Sequence, residues 1–143
     1  MKKKAFPLLC VLLLVSTVVF AALWRQEAAR NEDTMRRMWL SAASSGENIV
    51  TEYRQAGLEI PYCQVISELL VMERALILAE GTGPDYTDLN AVYGILSLYP
   101  ERCPDVTEEL LLVFQTASQE GLDGSNWPLR VNELRNLLEH NCE

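Results

Sequence analysis

The sequence predicts an all-α protein: an N-terminal transmembrane (or signal) helix, a long juxtamembrane helix, and two αα-hairpins forming a small helical bundle. Three observations lead there. Twenty uncharged residues, AFPLLCVLLLVSTVVFAALW at 5–24, follow Lys2, Lys3 and Lys4. Beyond Arg25 the apolar residues recur every three or four positions, as on a helix face, and no stretch alternates apolar and polar long enough to make a half-buried strand. Gly57, Pro61, Gly81, Pro100 and Gly121 fall between these periodic stretches, where helices stop and start.

Residues 1–4 read as a cytoplasmic basic end and 5–24 as a transmembrane signal-anchor. As a helix the uncharged run measures about 30 Å, one hydrocarbon thickness. The lysines hold the N-terminus in the cytoplasm and send the remainder across, with Trp24-Arg25 as an interfacial anchor. A cleaved signal peptide is the competing reading, cut at Val19-Phe20-Ala21. Its weakness is an apolar run longer than the usual core of about 7–15 residues. Both readings place the body in the periplasm or another extracytoplasmic space, tethered in the first case and secreted in the second. Cys10, preceded by Leu8-Leu9, lacks the small residue that a lipoprotein cysteine follows and reads as one more apolar position of the membrane helix.

Residues 25–60 form the juxtamembrane helix. Met35, Trp39, Ala42, Gly46, Ile49, Tyr53 and Ala56 are spaced alternately four and three apart, an a/d seam. Ala and Gly make poor coiled-coil knobs, so the seam reads as the packing stripe of a long helix, with a dimer zipper as the alternative. Gly57 stops the helix and Pro61 opens the next segment.

Residues 61–143 form the extracytoplasmic domain, four helices in two hairpins. The first helix runs from about Cys63 to Glu80 and is apolar nearly all round over 65–79, Leu70 included, which predicts the most buried helix of the domain. The second runs from Thr87 to Tyr99, ended by Pro100. The third begins at Asp105, where Asp105-Val106-Thr107-Glu108 has capping-box spacing, and presents Val106, Leu110, Val113, Phe114 and Ala117. The fourth runs from Asn126 to His140 with Val131, Leu134 and Leu138 inward.

Sliding the chain by forty residues lays Cys63 on Cys103, Glu68 on Glu108, Leu70 on Leu110, Glu80-Gly81 on Glu120-Gly121, Leu89 on Leu129 and Leu98 on Leu138. This predicts two repeats, 63–102 and 103–142, each a helix, a Gly-centred acidic loop and a second helix. In such a hairpin Cys103 and Cys142 share one end, where a disulfide can form in an oxidising space. Closing a loop of that length contributes about 4 kcal/mol in the chain-entropy account. Cys63 lies near the same end and is the rival partner. The cysteine left over is either buried or able to bridge to another chain.

Other constellations have simpler readings. Cys63, Cys103, Cys142 and His140 form a formal zinc set, but without a Cys-x-x-Cys pair, so no metal site is assigned. His140 reads as a cation at a helix C-terminus. The acidic loops 80–88 and 120–126 offer carboxylates to a basic partner or a loosely held Ca²⁺, yet neither follows the EF-hand pattern, and turn chemistry accounts for them. Gly81-Thr82-Gly83-Pro84 lacks the lysine of a phosphate loop. Arg36-Arg37 is the one adjacent basic pair of the body and reads as an exposed helix face.

Net charge is −8, and all the lysines sit at 2–4, leaving nine Arg against twenty Asp and Glu in the rest. So acidic a body repels phosphate backbones, which excludes a nucleic-acid binder. With one histidine and no lysine beyond residue 4, a Ser or Cys nucleophile lacks an obvious base. The chain therefore reads as a non-enzymatic, membrane-anchored interaction or accessory protein. It needs no cofactor, binds an unidentified protein partner, and is a candidate homodimer. A short basic end, one membrane helix, a long juxtamembrane helix and a cysteine near the C-terminus together resemble the layout of inner-membrane spanin subunits of phages. That resemblance implies a membrane-tethered lysis component; it is one of layout, with no matching residue motif.

Overall fold

The computed structural model describes the backbone of residues 5–80 and 83–140, with side chains from residue 16 onward. Among these residues there are five α-helices, one 3-10 helix and no strand. Helix α1 spans Ala5–Ala56, α2 Tyr62–Glu80, α3 Pro84–Leu98, α4 Thr107–Glu120 and α5 Trp127–His140, and the 3-10 helix Pro100–Val106 precedes α4. The chain divides into two compact units after Thr34.

In the first unit, α1 carries Val18, Val19, Phe20, Leu23 and Trp24, each at least half exposed (51–74%). Among the described residues no helix is long and apolar enough to cross a membrane. The span expected over 5–24 falls largely on residues 5–15, whose side chains lie outside the described set.

The second unit begins at Met35 and so takes in the C-terminal part of α1. The reason is the face of α1 that it includes. Trp39, Ala42, Ala43, Gly46 and Val50 are buried, whereas Met35, Ile49 and Tyr53 are half-buried and Ala56 is exposed. The stripe follows the 3.6-residue turn, not the 3.5-residue seam, and is consumed within the chain. Its contacts are specific. The Trp39 indole N–H donates to the Ala117 carbonyl (3.3 Å). Ser45 donates to Glu68 (2.8 Å) and Ser118 to Glu47 (2.7 Å). These bonds tie α1 to α4 and α2.

Helix ends follow local chemistry. Gly57, at φ 64°, closes α1 with paired backbone bonds, Gly57 N–H to Arg54 O (3.1 Å) and Leu58 N–H to Tyr53 O (2.9 Å). This is the Schellman arrangement, which a left-handed glycine makes cheap. Helix α3 starts at Pro84 rather than Thr87, because a first-turn position has no use for the N–H that proline lacks. The capping box expected at Asp105–Glu108 does not form. Pro100 and Pro104 hold the approach in a 3-10 helix, and α4 begins at Thr107 without a side-chain cap. The Thr107 hydroxyl instead lies 3.0 Å from the Cys103 carbonyl and 2.7 Å from the Tyr62 hydroxyl.

The core is continuous across α1–α5. Val106, Leu110, Val113, Phe114 and Ala117, and likewise Val131, Leu134 and Leu138, are buried as their spacing predicts. Trp39 and Trp127 pack at 4.5 Å between ring centroids, tilted by 54°, and the Trp127 N–H donates to Leu122 O (3.1 Å). Helix α3 packs on α2 and α5, and α4 on α5. Two sequence expectations change. Leu70 is only half-buried, Leu69 taking the core position, and Leu78 is 65% exposed, so α2 is not apolar-buried all round. The forty-residue repeat is not reproduced. Cys63 is exposed on an α-helix, while its counterpart Cys103 is buried in a 3-10 helix that has no equivalent before α2.

Candidate functional site

At one end of the second unit meet the N-terminus of α2, the C-terminus of α3, the 3-10 helix and the start of α4. The Tyr62–Thr107 hydroxyl pair and the packing of the 3-10 helix against α2, α3 and α4 hold them together. Arg102 donates to the Leu138 carbonyl (3.1 Å), bringing the last turns of α5 to the same place. Cys103 sits here as a free thiol with no exposed surface, and burial pushes its pKa up to about 11. A thiol held neutral at pH 7 is a poor nucleophile. Cys63 is also a free thiol, but exposed. Cys142 lies outside the described residues, and with it the Cys103–Cys142 pairing and the Cys3His set. His140 places Nδ1 2.8 Å from the Asn136 carbonyl, within its own helix.

The acidic loops approach each other at the other end. Burial, followed by the charges of Asp85 and Asp123, pushes the Glu80 carboxyl above its ordinary value. Asp123 is in turn ion-paired with Arg36 on an exposed part of α1. In the second loop Glu120 accepts from the backbone N–H (2.9 Å) and side chain of Asn126, which lowers its pKa. Among the described residues no group of three or more His, Cys, Asp or Glu side chains is placed to hold a metal ion.

One buried charge was missed from sequence. Glu73, on α2, is 2% exposed. Its Oε2 has no hydrogen-bond partner, although Arg74 Nε lies within ion-pair range at 3.3 Å. The Tyr86 hydroxyl of α3 hydrogen-bonds to the Glu73 carboxylate, which raises the phenol pKa. The signal for burial was present: Ile66, Leu69, Glu73 and Leu76 follow the core spacing of the helix.

Two open grooves of about 350 Å³ flank α4. One is lined by Thr51, Arg54, Gln55 and Leu111, the other by Thr116, Glu120, Asn126, Leu129, Arg130 and Glu133. Arg54 is neutralised by Glu108, and Arg130 by Glu133. Neither groove gathers a nucleophile and a base.

No family model, curated protein or solved structure matches the chain.

Proposed function

We propose that the chain is a membrane-anchored, non-enzymatic accessory protein whose acidic helical body lies outside the cytoplasm and binds a protein partner. The observation that carries this reading is the first unit: lysines at 2–4, an uncharged run over 5–24, and exposed side chains at Val18, Val19, Phe20, Leu23 and Trp24. Exposed apolar side chains in such a run are unfavourable in water by roughly 1.5–3 kcal/mol each and favourable in lipid.

The proposal is tested by extraction and by the mature N-terminus. A tethered protein resists alkaline carbonate and begins at or near Met1. Recovery in the soluble extracytoplasmic fraction beginning near Ala22 replaces the tether with secretion, and recovery in the cytosol overturns both.

An extracytoplasmic body also carries a Cys103–Cys142 bridge under this proposal, the two thiols giving two electrons and two protons to thiol–disulfide oxidants of that space. The Arg102–Leu138 bond supports it by fixing the 3-10 helix beside the last turns of α5. Peptide mapping without reduction should recover the two cysteines together. Alkylation of all cysteines in the unreduced, denatured protein rules the bridge out.

A further inference from the structure

The turn between α4 and α5 holds the chain's single Asp-Gly step, Asp123-Gly124, and the sequence contains no Asn-Gly. Such a step is chemically labile. The glycine residue has no side chain to hinder approach to its nitrogen and adopts the bent conformations that ring closure needs, so that nitrogen can reach the aspartyl Cγ and form a five-membered succinimide. Packing explains why glycine stands at 124. A Cβ there would lie 2.5 Å from the Glu120 Cβ and 3.0 Å from the Trp127 ring, so no side chain fits unless α4 or the indole moves. The Asp123 side chain beside it is 59% exposed, open to the water that the reaction consumes.

We propose that Asp123 is a site of spontaneous isomerisation to isoaspartate, and that Arg36 on α1 restrains the reaction in the folded chain. Two contacts commit the reacting groups elsewhere. The Asp123 carboxylate is ion-paired with Arg36, and the Gly124 N–H donates to the Gly121 carbonyl (3.2 Å). Ring closure needs both released. The Gly124 nitrogen then attacks Cγ of the protonated carboxyl and the N–Cγ bond forms. The Cγ–OH bond breaks, and the hydroxyl leaves as water with the former amide proton. Water next adds to one of the two imide carbonyls, and the C–N bond at that carbonyl opens. Opening at Cγ restores aspartate; opening at the main-chain carbonyl leaves the chain running through the side chain, as isoaspartate. Mass is unchanged, and water is the only reagent.

Isoaspartate lengthens the backbone by one carbon within a pinned turn. Leu122 and Trp127 are buried on either side of it, and the Trp127 indole N–H donates to the Leu122 carbonyl across it (3.1 Å). Glu120 accepts from the Asn126 backbone N–H (2.9 Å). An added methylene between these partners works against both bonds and against the Trp39–Trp127 ring contact. A change at an exposed residue thereby reaches the core.

The test incubates the full chain in mild detergent at mildly acidic pH, with and without urea. Peptides covering residue 123 are then read by electron-transfer mass spectrometry, which separates isoaspartate from aspartate. Accumulation is expected to be slow in the folded parent and about tenfold or more faster in urea and in folded Arg36→Gln. Asp123→Glu, whose longer side chain cannot close the five-membered ring, should give none at that position. If Arg36→Gln fails to fold by circular dichroism, the folded parent in concentrated salt, which screens an exposed ion pair, takes its place. Equal rates with and without the ion pair overturn the restraint, and absence of isoaspartate at 123 in urea overturns the site. The isomerised fraction should melt below the parent; an unchanged midpoint overturns the coupling to the core.

Discussion

A Cβ built on Gly46 would stand 2.3 Å from the Phe114 ring, far inside contact distance. Helices α1 and α4 therefore approach as closely as they do because position 46 has no side chain. Gly46→Ala gains about 1 kcal/mol of helix propensity and loses up to about 3 kcal/mol to overpacking. The expected net loss of about 1–2 kcal/mol is read from a urea midpoint, and a more stable variant would disprove the close approach. Glu73 is the second position where one side chain decides much. Tyr86→Phe leaves a buried carboxylate without its donor and should cost about 2 kcal/mol. It also changes alkaline behaviour. The Tyr86 pKa is raised in the folded state, so its contribution is whole below the unfolded phenol value of about 10 and is lost as pH rises through the folded value. The parent and Tyr86→Phe should converge in stability above that range, measured as thermal midpoint against pH.

Among the elements, α2 separates what periodicity can and cannot tell. Its run is apolar enough that several inward faces are compatible with the sequence, and Leu69 and Leu70 are equivalent until the neighbours are placed. The neighbours choose Leu69. Leu69→Asp should abolish cooperative unfolding by circular dichroism, whereas Leu70→Asp should leave a folded protein with a lower midpoint. Helices α4 and α5, with charges spaced between their apolar positions, admit a single inward face, and their core residues were legible apart from Trp127, which opens α5. The Pro-rich approach to α4 was misread because a capping box is recognised by spacing alone, while Pro104, inside the 3-10 helix, acts through the N–H it lacks. Glu73 escaped notice for the related reason that a carboxylate in an apolar run reads as solvated unless its partner, thirteen residues on at Tyr86, is known. The meeting of the acidic loops carries its own test. With Glu80 raised above its unfolded value by burial, Asp85 and Asp123, its ionisation opposes folding above the folded pKa, and the penalty disappears as pH falls below the unfolded value. Glu80→Gln should raise the thermal midpoint at pH 7 and give no advantage at about pH 4 or below.

For the molecule as a whole, the all-helical class was legible from spacing and punctuation, but the extent of the folded body was not. A break at Gly57 and Pro61 looks like a boundary between domains, and locally it is only a turn between two helices of one core. What makes it a turn is Trp39, whose indole meets Trp127 and Ala117 far along the chain. No local pattern records such a distant contact. A fragment beginning at Met35 should fold, with a sharp melting transition, while one beginning at Pro61 should lack it because half of the indole pair and the cover over Phe114 are missing. A folded 61–143 fragment would show that α1 is dispensable.

Among the described residues, the fully buried core of the second unit begins at Trp39, with Met38 packed beside it. A protease that cut the stretch between Arg25 and Thr34 would therefore leave the folded core of the second unit whole, and under the proposed anchoring it would convert a tethered protein into a diffusible one.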